Sequence, residues 1–272
     1  PYPMLGEGIC IISADSREIE HNLTRMVHDV HGTEISYWTL AYHLNRLYAL
    51  LHGYRYTHVH LKAELMATLQ SDGLRPPRAH WFKQPLLKEV LEDESCSFAV
   101  WIDSDAYFIT SEALEALLHH KAMLSQDDQV SFFFATTPDS LERNPSKLNF
   151  TASFMIVKNT AYARLALREW WLAPLTERKF LKYRRTLFHE QTVMNVLFRR
   201  GKARLATAKM APTLHFDGAT GSFVRHQAGV KERGFLQTWR QALMARLAAP
   251  LSHPTSPWAA VVQRDPRARQ LF

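Results

Sequence analysis

Short apolar, β-branched runs alternate with longer stretches of helical period along this chain, and that alternation limits its fold more than any other feature. The first run, Gly8 to Ser13 (GICIIS), is followed by the polar Ala14-Asp15-Ser16-Arg17, which predicts a buried strand and its exit loop. Tyr37, Leu40, Ala41, Leu44, Leu47, Tyr48 and Leu51 recur at helical spacing, and Gly53 stops that helix. Tyr54 to Leu61 predicts a second strand, Trp81 to Leu91 a helix, and Phe98 to Asp103 (FAVWID) a third buried strand ending in acids. Val130 to Ala135 and Phe150 to Val157 predict further strands; Tyr162 to Leu172 and Glu190 to Arg200 predict helices, the second ended by Gly201. Lys231 to Leu247 reads as a last amphipathic helix. A single α/β domain over residues 1–249 with a Pro- and Arg-containing tail over 250–272 is the simplest organisation.

Composition bounds the rest. The 272 residues suffice for a full core, and 46% hydrophobic with 22% charged residues excludes a disordered or collagenous chain. Cys10 and Cys96 exclude a disulfide scaffold or a multi-Cys zinc fold; one bridge and two buried thiols both remain open. Lys+Arg 33 against Asp+Glu 26 gives +7, which favours anionic partners without choosing among nucleotides, nucleic acid and a membrane surface. No run approaches the ~18 apolar residues of a membrane span. The chain starts at Pro1, so an initiator, signal or anchor segment is expected upstream.

The most informative segment is Ala99-Val100-Trp101-Ile102-Asp103-Ser104-Asp105-Ala106. An apolar strand delivers two carboxylates, two residues apart, at the end where open α/β sheets bind ligands. In an extended strand such residues point to one side. Paired hard oxygens there suit Mg²⁺ or Mn²⁺ bridging a diphosphate. A solvated turn is the plain alternative. A haloacid-dehalogenase-type phosphohydrolase, with Asp103 as nucleophile, uses similar letters. Tyr107 stands where that pattern has Thr or Val, and the motif lies far from the start of the chain. A non-catalytic basic module for polyanions is the remaining alternative.

Trp81-Phe82-Lys83-Gln84-Pro85-Leu86-Leu87 and Trp101-Ile102-Asp103-Ser104-Asp105-Ala106 resemble the W-x-K-x-x-L-L … W-x-D-S-D-A block of retaining GT-A glycosyltransferases, above all the galactosyl/xylosyltransferase group (glycosyltransferase family 34). Asn45-Arg46-Leu47-Tyr48 with His52-Gly53-Tyr54 is similar to that family's N-K-x-x-Y-x-x-x-H-G-Y helix ending. Leu148-Asn149 and Phe154 to Asn159 are similar to its L-N-x-G-x-F-x-I-R-N segment, Glu190-Gln191 to its D/E-Q helix start, and His215-Phe216-Asp217-Gly218 to its late H-F-x-G. Order and approximate spacing hold from about residue 8 to 218.

The resemblance implies an α/β GT-A fold, a Rossmann-like single domain with a mixed central sheet. It implies an enzyme that moves a sugar, with retention, from a nucleotide diphosphate sugar (UDP-linked) to a glycan or glycoconjugate hydroxyl. Mn²⁺ or Mg²⁺ would be held by Asp103, Asp105 and His215. Ser13, Ala14, Asp15, Asp103 and Ser104 would line the donor site. Gln191 would face the anomeric carbon and Glu190 would hold sugar hydroxyls; an amide is a poor nucleophile, which favours front-face attack. Relatives of this kind are typically Golgi type II membrane proteins. No nucleic-acid partner is implied. Two departures stand out: Thr151-Ala152 replace the family's usual Gly, and Ala219, Thr220 and Gly221 replace a Cys with a nearby Lys, so Arg225 or Lys231 would have to meet the diphosphate.

Other residues read as structural. His58, His60, His119 and His120 show no ligand pattern. Trp170-Trp171 fits core packing better than sugar stacking. Lys83 reads as a solvated or carboxylate-paired helix residue, and Arg178 to Arg185 as a solvated basic face. Asn22-Leu23-Thr24 and Asn149-Phe150-Thr151 are formal glycosylation sequons, the second in a presumed buried strand.

Overall fold

A computed structural model describes residues 8–21, 36–68, 79–120, 131–136, 150–184, 189–200, 208–210 and 223–226. His215, the expected last helix at 231–247, the 249/250 boundary and both sequon asparagines lie outside the described residues.

Strand β1 (Ile9–Asp15) leads to helix α1 (Tyr37–His52), β2 (Arg55–His60) and α2 (Ala63–Thr68). A 3₁₀ turn (Ala79–Phe82) precedes α3 (Lys83–Glu92), then β3 (Phe98–Ile102), β4 (Ala106–Phe108), α4 (Leu114–His120) and β5 (Phe132–Thr136). The chain continues through β6 (Phe150–Lys158), α5 (Ala161–Thr176), a 3₁₀ segment (Arg178–Arg184), α6 (His189–Arg200), β7 (Ala208–Met210) and β8 (Val224–His226).

The main sheet has the order β2-β1-β3-β6-β5-β7. It is mixed: β1 runs parallel to β2 and β3, β5 parallel to β7, and β6 antiparallel to both β3 and β5. Strands β4 and β8 form a separate antiparallel pair. The expected α/β class with a mixed central sheet is therefore observed.

Period-2 alternation splits the core between the two sheet faces. Ala99 and Trp101 of β3, with Phe132 and Phe134 of β5, join Leu86, Leu87, Leu167, Trp170 and Val193 on one face. Phe98, Val100 and Ile102, with Phe133, join Tyr48, Leu114 and Val224 on the other. Trp170 is fully buried, as core packing predicts, while Trp171 packs at the margin of that cluster.

Several expected boundaries move, each for a local reason. Strand β1 runs through Ala14 and Asp15, because they pair with Val59 and His60, so the expected exit loop starts later. The helix expected from Trp81 begins as a 3₁₀ turn, and α3 takes Pro85 in its first turn, where no backbone N–H is needed. Helix α5 continues past Leu172 through Pro174, which sits in the last turn with a buried side chain. Helix α1 ends as read: Gly53 adopts φ 71° and its N–H reaches back to Ala49 and Leu50. Ser36 caps the start by accepting from the Thr39 N–H.

Cys10 and Cys96 form a disulfide across 86 residues of chain. It ties β1 to the segment entering β3. Among the described residues no helix is long and apolar enough to cross a membrane.

Candidate functional site: an acidic turn after the third strand

Strand β3 stops at Ile102, and the carboxylates that follow stand on a turn rather than on the strand. The turn closes when the Ala106 N–H donates to the Asp103 carbonyl (3.0 Å), while the Asp103 N–H donates to the Ser153 carbonyl (2.8 Å). The two carboxylates thus come together through turn closure, not through the alternation of an extended strand. Asp103, Asp105 and His226 each offer a ligand atom, and these atoms all lie within 4.8 Å of one another.

His226 comes from β8, which pairs antiparallel to β4 with His226 opposite Ala106. That register sets the imidazole beside Asp105, with Nε2 3.2 Å from Oδ1. Burial pulls the Asp105 carboxyl upward. The bond from His226, its charge, a backbone bond and Arg17 outweigh this, and the pKa falls below the usual value.

Asp103 is anchored on its other flank. Lys83 Nζ donates to Asp103 Oδ1 (3.2 Å) and to the Ala152 carbonyl (3.1 Å), and pairs with Glu190 Oε1 (3.2 Å). Trp101 Nε1 donates to the same Oδ1, so Oδ2 keeps its lone pairs. The Lys83 side chain is 2% exposed, and Glu190 is 8% exposed. Burial opposes the charged lysine, but Asp103 and Glu190 more than compensate and raise its pKa. Of the two readings of Lys83, solvated or carboxylate-paired, the second holds, and the side chain is the buried hub joining β3, β6 and α6.

Glu190 and Gln191 open α6. Glu190 meets Lys83 rather than open solvent, and its carbonyl accepts from Trp170 Nε1 (2.9 Å). Gln191 Oε1 accepts from the Ala152 N–H (3.0 Å). Both polar atoms of the Ala152 backbone are open to side chains because the β5–β6 register shifts between Phe134 and Ala135. That irregularity falls where the family resemblance departs from its usual glycine, and it joins Gln191 and Lys83 to one peptide.

The expected donor-site residues divide. Arg17 pairs with Asp15 through Nε (2.8 Å) and Nη2, donates from Nη2 to Ser104 Oγ (3.2 Å), and lies 4.1 Å over the Trp38 ring. Asp15 and Ser104 are thereby drawn to one patch at the ends of β1 and β3. Burial raises the Asp15 pKa, but bonds from Arg17 and Ser104 outweigh it and leave it lowered. Ala14 packs against the core. Ser13 turns away: its hydroxyl bonds Tyr56 Oη (2.7 Å) and His58 Nδ1 (2.9 Å).

The helix-ending motif also gains a physical role. Asn45 Nδ2 donates to the Ala106 carbonyl (2.9 Å) and Oδ1 accepts from the Phe108 N–H (3.1 Å), so one buried amide grips β4 just past the acidic turn. Tyr48 Oη donates to the Glu112 carbonyl (2.7 Å), and Tyr54 Oη accepts from the Leu114 N–H (2.8 Å).

His226 and the burial of Lys83 were missed. The sequence signal for His226 is slight, a histidine closing the short segment Phe223-Val224-Arg225-His226, and its pairing with β4 is not written in composition.

No protein-family model and no curated protein sequence matches the chain. Solved structures do. A glycosyltransferase involved in the glycosylation of the major capsid of PBCV-1 aligns over 88% of this chain and 98% of its own, with TM-score 0.54 and 15% identity. The galactosyltransferase LgtC, solved with donor and acceptor sugar analogs, aligns over 93% and 99% with TM-score 0.48 and 13% identity. The glycosyltransferase GlyE of Streptococcus pneumoniae TIGR4 aligns over 94% and 63% with TM-score 0.46 and 11% identity. The first alignment shows that this chain has the GT-A glycosyltransferase fold.

Proposed function

We propose that the chain is a metal-dependent, retaining glycosyltransferase that moves a sugar from a nucleotide diphosphate sugar, UDP-linked, to a hydroxyl of a glycan or glycoconjugate. The observation that carries this reading is the Asp103–Asp105–His226 cluster at the exit of β3 in a GT-A sheet. Two carboxylate oxygens and an imidazole nitrogen fit Mn²⁺, and Mg²⁺ less well. When bound, such an ion would neutralise the diphosphate leaving group.

The chain's own residues do the positioning. Lys83 and Trp101 fix Asp103, and Asn45 fixes the strand behind Asp105. The patch of Asp15, Arg17 and Ser104 receives the nucleoside side of the donor. Gln191, pinned by Ala152, presents an amide rather than a carboxylate near the acidic turn, which favours front-face attack over a covalent glycosyl-enzyme. The Cys10–Cys96 disulfide supports an oxidising compartment such as the Golgi lumen.

The test is a donor panel with Mn²⁺, following nucleotide release, on the parent chain and on Asp105→Ala, His226→Ala and His215→Ala. Release that falls in Asp105→Ala and His226→Ala supports the cluster; a fall confined to Asp105→Ala and His215→Ala moves the imidazole ligand to His215. No binding or hydrolysis of any nucleotide sugar, with unchanged variants, sinks the reading. A phospho-aspartyl species trapped at Asp103 would favour the phosphohydrolase instead.

A further inference from the structure

On the flank of β1 away from the acidic turn, β2 and α1 enclose a cavity of about 410 Å³. Tyr56, His58 and His60 alternate along β2 and so share one face, while Tyr42 and Arg46 stand one turn apart on α1. His21 closes the side. Tyr42 is the hub of the walls, edge-on to His21 and His58 and tilted against Tyr56.

A guanidinium only donates, while neutral imidazoles and phenols can each donate or accept. Among the described residues the lining holds no carboxylate and no side-chain amide. Arg46 has no carboxylate partner among the described residues, whereas Arg17 and Arg55 each have one. Ser13, the nearest hydroxyl behind the wall, is already taken up by Tyr56 and His58. His58 Nε2 is buried with no partner among the described residues. Burial takes His58 down to about 4; Asp15 pulls against this, and His60 and His21 add smaller downward pushes.

Arg46 is the permanently charged group of this lining, and the imidazoles and phenols around it can orient to donate. An arginine with no carboxylate partner among the described residues, set among histidines and tyrosines, is complementary to an oxyanion. We propose that the cavity bounded by Arg46, His58 and His60 is a second ligand site, distinct from the acidic turn, that binds a small phosphate-bearing molecule. The volume exceeds that of phosphate alone, so the phosphate is the anchor and the aromatic walls take the remainder of the ligand. Because Asp15 pairs with His60 across β1 and β2, the site adjoins the strand that carries the donor patch. The proposal does not depend on the transferase reading.

Calorimetric titration of the folded chain with inorganic phosphate, in metal-free buffer of low ionic strength, tests it. Binding is expected, and Arg46→Gln and His60→Ala should each weaken it about tenfold or more, the loss expected for one charge-assisted hydrogen bond. Asp105→Ala should leave phosphate affinity unchanged. Circular dichroism establishes that each variant is folded, and His60→Ala carries the test if Arg46→Gln is not. No binding at millimolar phosphate, parental affinity in both cavity variants, or an equal loss in Asp105→Ala would overturn the assignment.

Discussion

Replacing Lys83 by methionine removes a cation that Asp103 and Glu190 share while keeping most of the side-chain volume. Lys83 and Glu190 are 2% and 8% exposed, so their pair lies in the regime where deleting one buried partner costs about 3–5 kcal/mol. Asp103 is 27% exposed, keeps much of its hydration and adds little. The Ala152 carbonyl loses its donor, worth about 1 kcal/mol, and the buried methionine returns a similar amount through packing. The net expectation is about 3–5 kcal/mol, or a fall of roughly 6–20 °C in Tm for a domain of this size. Thermal unfolding followed by circular dichroism reads this directly. Glu190→Gln added to Lys83→Met should recover part of the loss, with a coupling of at least about 1 kcal/mol. Because the Lys83 pKa is raised, its contribution is complete below the ordinary lysine value of 10.5 and disappears only as pH rises through the higher folded value. A Lys83→Met chain that melts within about 2 °C of the parent, or strict additivity with Glu190→Gln, would refute the hub.

Three further outcomes follow from the same geometry. Asn45→Ala strands the Ala106 carbonyl and the Phe108 N–H in the core, so it should cost about 2–4 kcal/mol in urea unfolding and lower Mn²⁺ affinity, since β4 sets the turn. Burial holds His43 and His58 at about 4, below the ordinary 6.5, so both stay neutral in the folded chain. Their stabilising effect is present above pH 6.5 and is lost as pH falls toward 4, at roughly 1.4 kcal/mol per group per pH unit; urea unfolding at pH 7 and pH 5 measures it, and a flat profile would contradict the assignment. Reducing the Cys10–Cys96 bridge, which closes a loop of 86 residues, should destabilise the chain by roughly 4–5 kcal/mol, read as a drop in Tm on adding dithiothreitol.

Local periodicity made the strands and helices legible, because each is decided by residues near one another in sequence. The run FAVWI could only be a doubly buried strand, and Gly53 could only end a helix. The acidic pair was legible for the same reason. What stayed hidden required pairing across the chain. Lys83 looks like any lysine in the first turn of a helix until Asp103 and Glu190, 20 and 107 positions further on, are folded around it. The β6 irregularity that frees Ala152 is a property of register, which no single strand encodes. His226 is the same case: its place beside Asp105 follows from the β4–β8 register alone.

The acidic turn is built so that the chain can fold before any cation arrives. Two carboxylates held within 4.8 Å repel by on the order of 3 kcal/mol in a half-exposed setting. Left alone, that repulsion would favour an opened turn. Each carboxylate instead has its own partner on the outer flank, Lys83 for Asp103 and His226 for Asp105, so the repulsion is offset without metal. Chelation should therefore stop nucleotide release while the chain stays cooperatively folded, in contrast to a structural zinc site, whose removal unfolds the domain. Adding Mn²⁺ to about 100 times its Kd should then raise stability by about 2.7 kcal/mol through mass action, and Asp105→Ala should abolish that rise. Thermal unfolding in EDTA, in buffer and in Mn²⁺ separates the cases. Loss of cooperative unfolding in EDTA would show that the cation holds the turn together and that Lys83 and His226 do not suffice.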